Sequence, residues 1–512
     1  MSIVNETIVL DFYLKEIDED NISFLKGKDY FKSNVKESII NLRSAQNLSE
    51  KIEISKALWK LLFESAMSYI DPDKRGYDEL FHYFDEYVEF EELIFASDSF
   101  YRDHTFHCLW VYFLGEYVMK SKEYGFLFKN VYKNENMFKS ILEVFKKTGI
   151  NEKVEKLDYA LREILKTELY QDSIYCISAL THDLGYPLKK INKINKSIRT
   201  ILPYFSINNF NEFNFQYDNI QKSNIDSFIE ILTDDITVNA RSKDNSNDFG
   251  EIMSKVLKLE NDNLIGINEE GIKNLNKDEI SKLENSSEVI VKLKKSRSKY
   301  ISYCNDFEEY QHGIMSAFLL TRVLKAFTNS RFTYGNKSDI DIYDIDFADA
   351  SAKMKILTSI TSHTNSNYRI DDLANNEAIL TFIDELEEFS RISRANQNRQ
   401  YVAEFCRTDL SEEDGVFNID FIFDNEELDN LDPERAFKGR CKRFLTLFHI
   451  TELSENLKLR LRCIGKLSYD SNVYTLEIAR KFAKITINGE EKNIPQYLKG
   501  RQFYSRDEYA NL

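Results

Sequence analysis

A mainly α-helical protein with a small α+β module near its C-terminal end is what this sequence predicts, on three observations. The chain has 512 residues but only 5 prolines and 16 glycines, so few positions interrupt a helix. Up to about residue 400, leucine, isoleucine, phenylalanine and tyrosine recur at intervals of three and four, the period of one helical face. Beyond that the period shortens to two, first in Val416-Phe417-Asn418-Ile419-Asp420-Phe421.

Residues 1–100 read as helices that pack on a core formed by residues 101–400, with a turn at Asp71-Pro72. Around residue 175 the apolar positions Ile174, Ile177 and Leu180 share a face, and Gly185 with Pro187 signal the end of that helix. After Pro203 the composition turns polar, and residues 241–299 hold one aromatic, Phe249, in a chain that is 13% aromatic. Such a stretch adds little to a core, so about 204–300 reads as a charged insertion: a cap over the site, an oligomer contact or a disordered insert. Residues 405–512 form the α+β module, with strands over 415–423, 457–464, 473–478 and 484–487, a helix from Asp432 to Ile450, and a turn at Asn488-Gly489. It is suited to binding a regulatory ligand, to dimerisation or to covering the site.

The formal charge of −17 argues against bulk attraction to nucleic acid or an anionic membrane, while a local cationic pocket for a small nucleotide stays compatible. Cysteines 108, 176, 304, 406, 441 and 463 show no Cys-x-x-Cys spacing and read as buried thiols of a reducing compartment. No apolar run reaches the roughly twenty residues that span a bilayer. The start, Met-Ser-Ile-Val-Asn-Glu, is not basic and does not resemble a signal peptide, so a cytoplasmic location is expected.

Seven histidines, at 82, 104, 107, 182, 312, 363 and 449, are few enough to weigh one by one. His182-Asp183 places an imidazole beside a carboxylate at the expected helix end. His107 is in register with Val111, Leu114 and Val118; His312 opens a helix shared with Ser316, Leu319 and Val323; His363 closes another. Asp384 follows Leu380 and Ile383 on an apolar face. Mixed imidazole and carboxylate donors suit intermediate divalent metals such as Mn, Fe, Co, Ni or Zn, which acidify water and polarise a phosphoryl oxygen. A buried aspartate needs a partner in any reading. His104, three residues before His107, competes with it for the first position or faces substrate, whereas His82 and His449 read as ordinary histidines.

This order of a histidine, a His-Asp pair and a late helical aspartate resembles the HD superfamily of metal-dependent phosphohydrolases over roughly residues 100–400. The resemblance implies an HD-type helical bundle whose first metal is held by His107, His182, Asp183 and Asp384. His312 and His363 stand where relatives carry histidines for a second metal or the substrate phosphate. With one or two divalent ions per site (Mn, Fe, Co, Ni, Zn or Mg), it implies hydrolysis of a phosphoanhydride or phosphoester, Asp183 bridging or orienting the water. The favoured substrate is a small nucleotide such as a (deoxy)nucleoside triphosphate. A cyclic nucleotide or alarmone hydrolase and a non-catalytic nucleotide sensor are the alternatives, and a homo-oligomer is an open expectation. The deoxynucleotide branch typically continues with a Gly-His-Pro-Pro-Phe-Gly-His type run, where this chain has Gly185-Tyr-Pro-Leu-Lys-Lys190. The cyclic-dinucleotide branch carries its Gly-Tyr-Pro motif further along the chain.

Candidate groups for an anionic substrate are Lys189, Lys190 and Lys193, and Arg391, which seven-residue spacing would set on the face of Asp384. Tyr186, Tyr310 and Tyr368 lie beside motif residues and are candidates to stack on a base.

Overall fold

The computed structural model describes residues 2–95, 100–128, 170–213, 216–233, 236–239, 257–260, 263–267, 274–279, 281, 290–293, 299–328, 347–393, 406–426 and 431–492. It is mainly helical, with a sheet in its C-terminal part. The helices are α1 (Glu6–Asp18), α2 (Asp29–Ser44), α3 (Leu48–Met67), α4 (Tyr77–Phe95), α5 (His104–Lys120), α6 (Gln171–Thr181) and α7 (Tyr186–Ile201). They continue with α8 (Asn219–Thr233), α9 (Tyr300–Glu308), α10 (His312–Val323), the short α11 (Lys325–Thr328), α12 (Phe347–Ser362), α13 (Asn376–Leu386) and α14 (Pro433–Leu447).

Local chemistry sets the starts of these helices. The side chains of Asn5, Asn47, Asp103, Asn375 and Asp432 each accept a bond from the backbone N–H three residues on, satisfying a donor that the first turn leaves open. Pro187 lies in the first turn of α7, so it marks the start of that helix as well as the break before it.

At the centre are α5 and α6. Every residue of α5 from His104 to Met119 is buried, as is all of α6 from Asp172 to Thr181. Helix α6 touches α3, α5, α12 and α13, and α5 also touches α1. A helix covered on all sides has no polar stripe, and α5 shows none. The N-terminal helices reach inward with polar tips: Trp59 donates its indole N–H to Leu180 O at 2.7 Å, and Tyr87 its hydroxyl to Asp183 O at 3.4 Å. Helix α8, within the stretch read as an insertion, packs on α9, α10 and α12. Beyond it, strand β3 (Ile236–Asn239) pairs with β6 (Ile290–Leu293), and β4 (Leu257–Glu260) with β5 (Asn263–Ile267). The remainder of 241–299 lies largely outside the described residues, and with it the expected cap or oligomer contact.

The C-terminal sheet has seven strands, and one of them is N-terminal. Its order is β1 (Ser2–Val4), β8 (Arg407–Glu413), β9 (Val416–Phe423), β10 (Leu459–Gly465), β11 (Val473–Ala479), β12 (Phe482–Ile487) and β13 (Glu490–Lys492). Strands β9 and β10 are parallel, and the chain between them forms α14. A parallel pair needs such a crossover, whereas the remaining neighbours pair antiparallel. Burial alternates along β10 because successive side chains point to opposite faces. A separate pair joins β2 (Phe100–Arg102) to β7 (Arg391–Ser393).

The sheet module meets the helical core along α13. Phe382 lies against Phe417, Phe444 and Phe448, and Ile370 bridges Phe448. Just past the end of α13, Arg440 of α14 donates to Glu388 at 2.6 Å with the side chains 12% and 3% exposed, while its guanidinium lies over the Phe421 ring at 4.0 Å. Arg443, one turn on, pairs with Glu385. Among the described residues, no helix is long and apolar enough to cross a membrane. Removing one partner of a buried pair strands the other charge, so Arg440→Ala is expected to cost about 3 kcal/mol, read as a lower urea midpoint.

Candidate metal centre

Between α6 and α7 the chain makes a tight turn, Leu184 N donating to Thr181 O at 3.3 Å and Tyr186 N to Asp183 O at 2.9 Å. That turn holds His182 and Asp183 at the middle of the helical core. Helix α10 closes over it: Ser316 donates its hydroxyl to His182 O at 2.7 Å and accepts from Gly185 N at 2.7 Å. A Cβ on Gly185 would lie 2.4 Å from His312 O, and one on Gly313 2.5 Å from Ile360 O. Only glycine permits these approaches, which set His312 and His363 against Asp183.

Six side chains from five parts of the chain meet here. His107 of α5 places Nε2 3.4 Å from His182 Nε2, 2.8 Å from Asp384 Oδ1 and 3.7 Å from Asp183 Oδ2. His182 Nε2 is 3.5 Å from the same Asp183 oxygen. The other oxygen, Oδ1, lies 3.1 Å from His312 Nε2 and 3.7 Å from His363 Nε2. Asp183 therefore divides its carboxylate between two groups, His107, His182 and Asp384 on one side and His312 and His363 on the other. Ligand atoms about 2.1 Å from one ion at tetrahedral or octahedral angles stand about 3.0–3.4 Å apart, close to the spacing seen.

Three of the four imidazoles are oriented by their far nitrogens. His182 Nδ1 bonds Ala179 O at 2.7 Å, His363 Nδ1 bonds Ile360 O at 2.5 Å, and His107 Nδ1 bonds Glu387 Oε2 at 2.6 Å. Oxygen acceptors place the proton on Nδ1 and leave the Nε2 lone pair turned toward Asp183. Buried His363 Nε2 has no hydrogen-bond partner among the described residues. Burial pulls the His182 and His312 imidazoles down to about 4, against the pull of Asp183. Burial opposes ionisation of Asp183, but its contacts with His182, His312 and His363 outweigh it and hold the carboxyl well below its usual range. At neutral pH the His182 and His312 imidazoles are neutral beside the Asp183 carboxylate, and neither lysine nor arginine pairs with Asp183 among the described residues. These donors fit one or two intermediate divalent ions, with Asp183 able to bridge them.

Other candidates occupy the surroundings. His104 is held at Nδ1 by Glu91 Oε2 at 2.8 Å, and its ring lies 3.9 Å from that of Tyr186. The apolar register that favoured His107 does not separate the two, because α5 is buried all round; contact with His182 and Asp384 does. Tyr186 also meets the His312 ring at 5.2 Å and carries the Lys190 ammonium 4.5 Å from its centroid. Lys189 donates to Gln311 Oε1 at 2.6 Å, and burial lowers its affinity for a proton. The side chain of Lys193 lies outside the described residues. Tyr310 stands in the left-handed region at φ 51°, and Tyr368 is half-buried against the core.

The helical register assumed for Arg391 does not hold. Helix α13 ends at Leu386, because the Glu387 carboxylate accepts from Ser390 N at 2.8 Å and Ser390 Oγ at 2.7 Å and turns the chain. Arg391 is thus in strand β7, opposite Arg102, and its side chain lies outside the described residues. Two carboxylates that hold histidines of this cluster and its surroundings escape the sequence reading, Glu387 and Glu91. Glu387 was findable, since it follows Asp384 by three residues on one helical face; Glu91, thirteen residues before His104, carried no local signal.

Comparison with protein-family models, curated proteins and solved structures finds no match.

Glu387→Gln is expected to weaken Mn²⁺ binding about 10- to 100-fold in calorimetry, through loss of His107 orientation. Gly185→Ala should also lose the ion, by forcing α10 off the turn. A histidine whose folded value is depressed contributes stability that is complete above its unfolded value and lost as pH falls. Metal-free protein should therefore lose stability between about 6.5 and about 4, visible as a falling melting temperature.

Proposed function

We propose that this chain is an HD-type metal-dependent phosphohydrolase acting on a small nucleotide. The carrying observation is the set of imidazoles with Nδ1 bound outward to oxygen and Nε2 turned to the divided carboxylate of Asp183. A divalent ion bound there would acidify water and polarise a phosphoryl oxygen. His107, His182, Asp183 and Asp384 would hold the first ion, and His312 and His363 a second ion or the phosphate.

The chain's own groups account for the rest. Asp183, ionised and fixed by the turn after α6, orients the attacking water along its free lone pairs. Lys189 interacts electrostatically with Asp183 and is placed for an incoming phosphate. His104, fixed by Glu91 one helical turn from His107, is the group placed to give a proton to the leaving oxygen. Tyr186 spans His104 and His312 and forms the wall between them.

The test is release of phosphate, pyrophosphate or triphosphate from ribo-, deoxyribo- and cyclic nucleotides and alarmones, with Mn²⁺, Mg²⁺, Co²⁺ or Ni²⁺. Metal-dependent turnover reduced about a thousandfold or more by Asp183→Ala, and strongly by His312→Ala, is expected. Absence of turnover by metal-loaded protein across the panel would sink the enzyme reading and favour a nucleotide sensor.

A further inference from the structure

Where α6 stops, its last carbonyls lose their helical partners, and they do so in the interior: His182, Asp183 and Leu184 are 0%, 4% and 1% exposed. A buried carbonyl must find a donor, and every one from Ala179 to Leu184 has found it. Three are served from within the turn, Ala179 O by His182 Nδ1, Thr181 O by Leu184 N and Asp183 O by Tyr186 N. The other bonds arrive from distant helices. Trp59 Nε1 donates to Leu180 O and Ser316 Oγ to His182 O, both at 2.7 Å, and the Tyr83 hydroxyl donates to Leu184 O. Asp183 O is reached a second time, by the Tyr87 hydroxyl, in the longest bond of the set at 3.4 Å.

Helix α4 supplies two of these donors at a spacing of four, and four residues further on it supplies Glu91, which holds His104. Tyr83, Tyr87 and Glu91 therefore form one stripe of α4, with its polar ends directed at the site. The stripe is fixed in register by Trp59 of α3, whose ring stacks on Phe63 of its own helix at 5.3 Å and on Phe84 of α4 at 4.0 Å. Burial pushes both phenols up, so each is a donor at neutral pH. Phenylalanine would serve for packing alone. What the hydroxyls add is a bond to the carbonyl of Asp183 and a bond to the carbonyl that follows it.

We infer that Tyr83 and Tyr87 are positioning residues for the candidate metal centre. They fix the main chain of Asp183 and Leu184, and through it the direction in which the Asp183 carboxylate divides between the two histidine groups. The inference rests on the metal reading of that site. It makes α4 a working part of the site, where the sequence suggested a helix that only packs on the core.

The test compares Tyr83→Phe, Tyr87→Phe and the double variant with Tyr13→Phe, in the full chain. Tyr13 is 0% exposed and its hydroxyl bonds Tyr112 at 2.7 Å, so its loss removes a buried hydrogen bond that does not involve the turn. Calorimetry should show Mn²⁺ bound about tenfold or more weakly by the double variant, Tyr83→Phe giving the larger share, with altered visible bands of bound Co²⁺. Tyr13→Phe should lower the urea midpoint yet keep Mn²⁺ affinity within about twofold and the Co²⁺ bands unchanged. Mn²⁺ affinity unmoved in the tyrosine variants of α4, or an equal loss in Tyr13→Phe, overturns the inference. If wild-type protein binds no Mn²⁺, the metal reading fails on its own. Amide exchange of Leu184, Gly185 and Tyr186 in metal-free protein then decides whether the tyrosines hold the turn: about tenfold faster exchange in the double variant alone is expected, and unchanged protection overturns it.

Discussion

One buried carboxylate organises this molecule. Asp183 is held ionised among His107, His182, His312 and His363, and no lysine or arginine pairs with it among the described residues. A charge in a protein interior is costly, and the His182 and His312 imidazoles hold this one without a formal countercharge at neutral pH. The arrangement is coherent when a cation completes it. The surroundings follow from keeping six donors in place: Gly185 and Gly313 for close helix contact, Ser316 as a double bond across the turn, and outward acceptors that fix the imidazoles.

The second organising element is α13. The Asp-Glu-Leu-Glu-Glu segment at its end meets the histidine–aspartate cluster through Asp384 and Glu387 and the sheet module through Glu385 and Glu388. Adjacent residues of a helix point about 100° apart, which separates Asp384 from Glu385, while Glu387 and Glu388 follow where the helix ends and the chain turns. The strand Ser2–Val4 pairs with β8 at the edge of the sheet and leads into the first helix.

Much of this was legible in the sequence where a local rule was enough. The helical period, the capping residues and the alternation in the C-terminal strands announce element types. The histidines and aspartates are legible as a group because polar, ligating side chains are rare on apolar faces. Arg391 shows where that reasoning stops: a seven-residue spacing means a shared face only while the helix continues, and the Glu387 side chain ends it at Leu386. Likewise the register of His107 against Val111, Leu114 and Val118 carries no information in a helix buried on every side.

Composition, periodicity and turn residues, which act over a few neighbours along the chain, determined that the protein is mainly helical with a C-terminal sheet. Tertiary structure decided which groups meet. Glu91 with His104, Glu387 with His107, Arg440 with Glu388 and strand β1 with β8 join residues separated by 13, 280, 52 and about 400 positions. Sequence spacing carries no trace of contacts such as the last, because they are selected by shape and charge complementarity between packed surfaces.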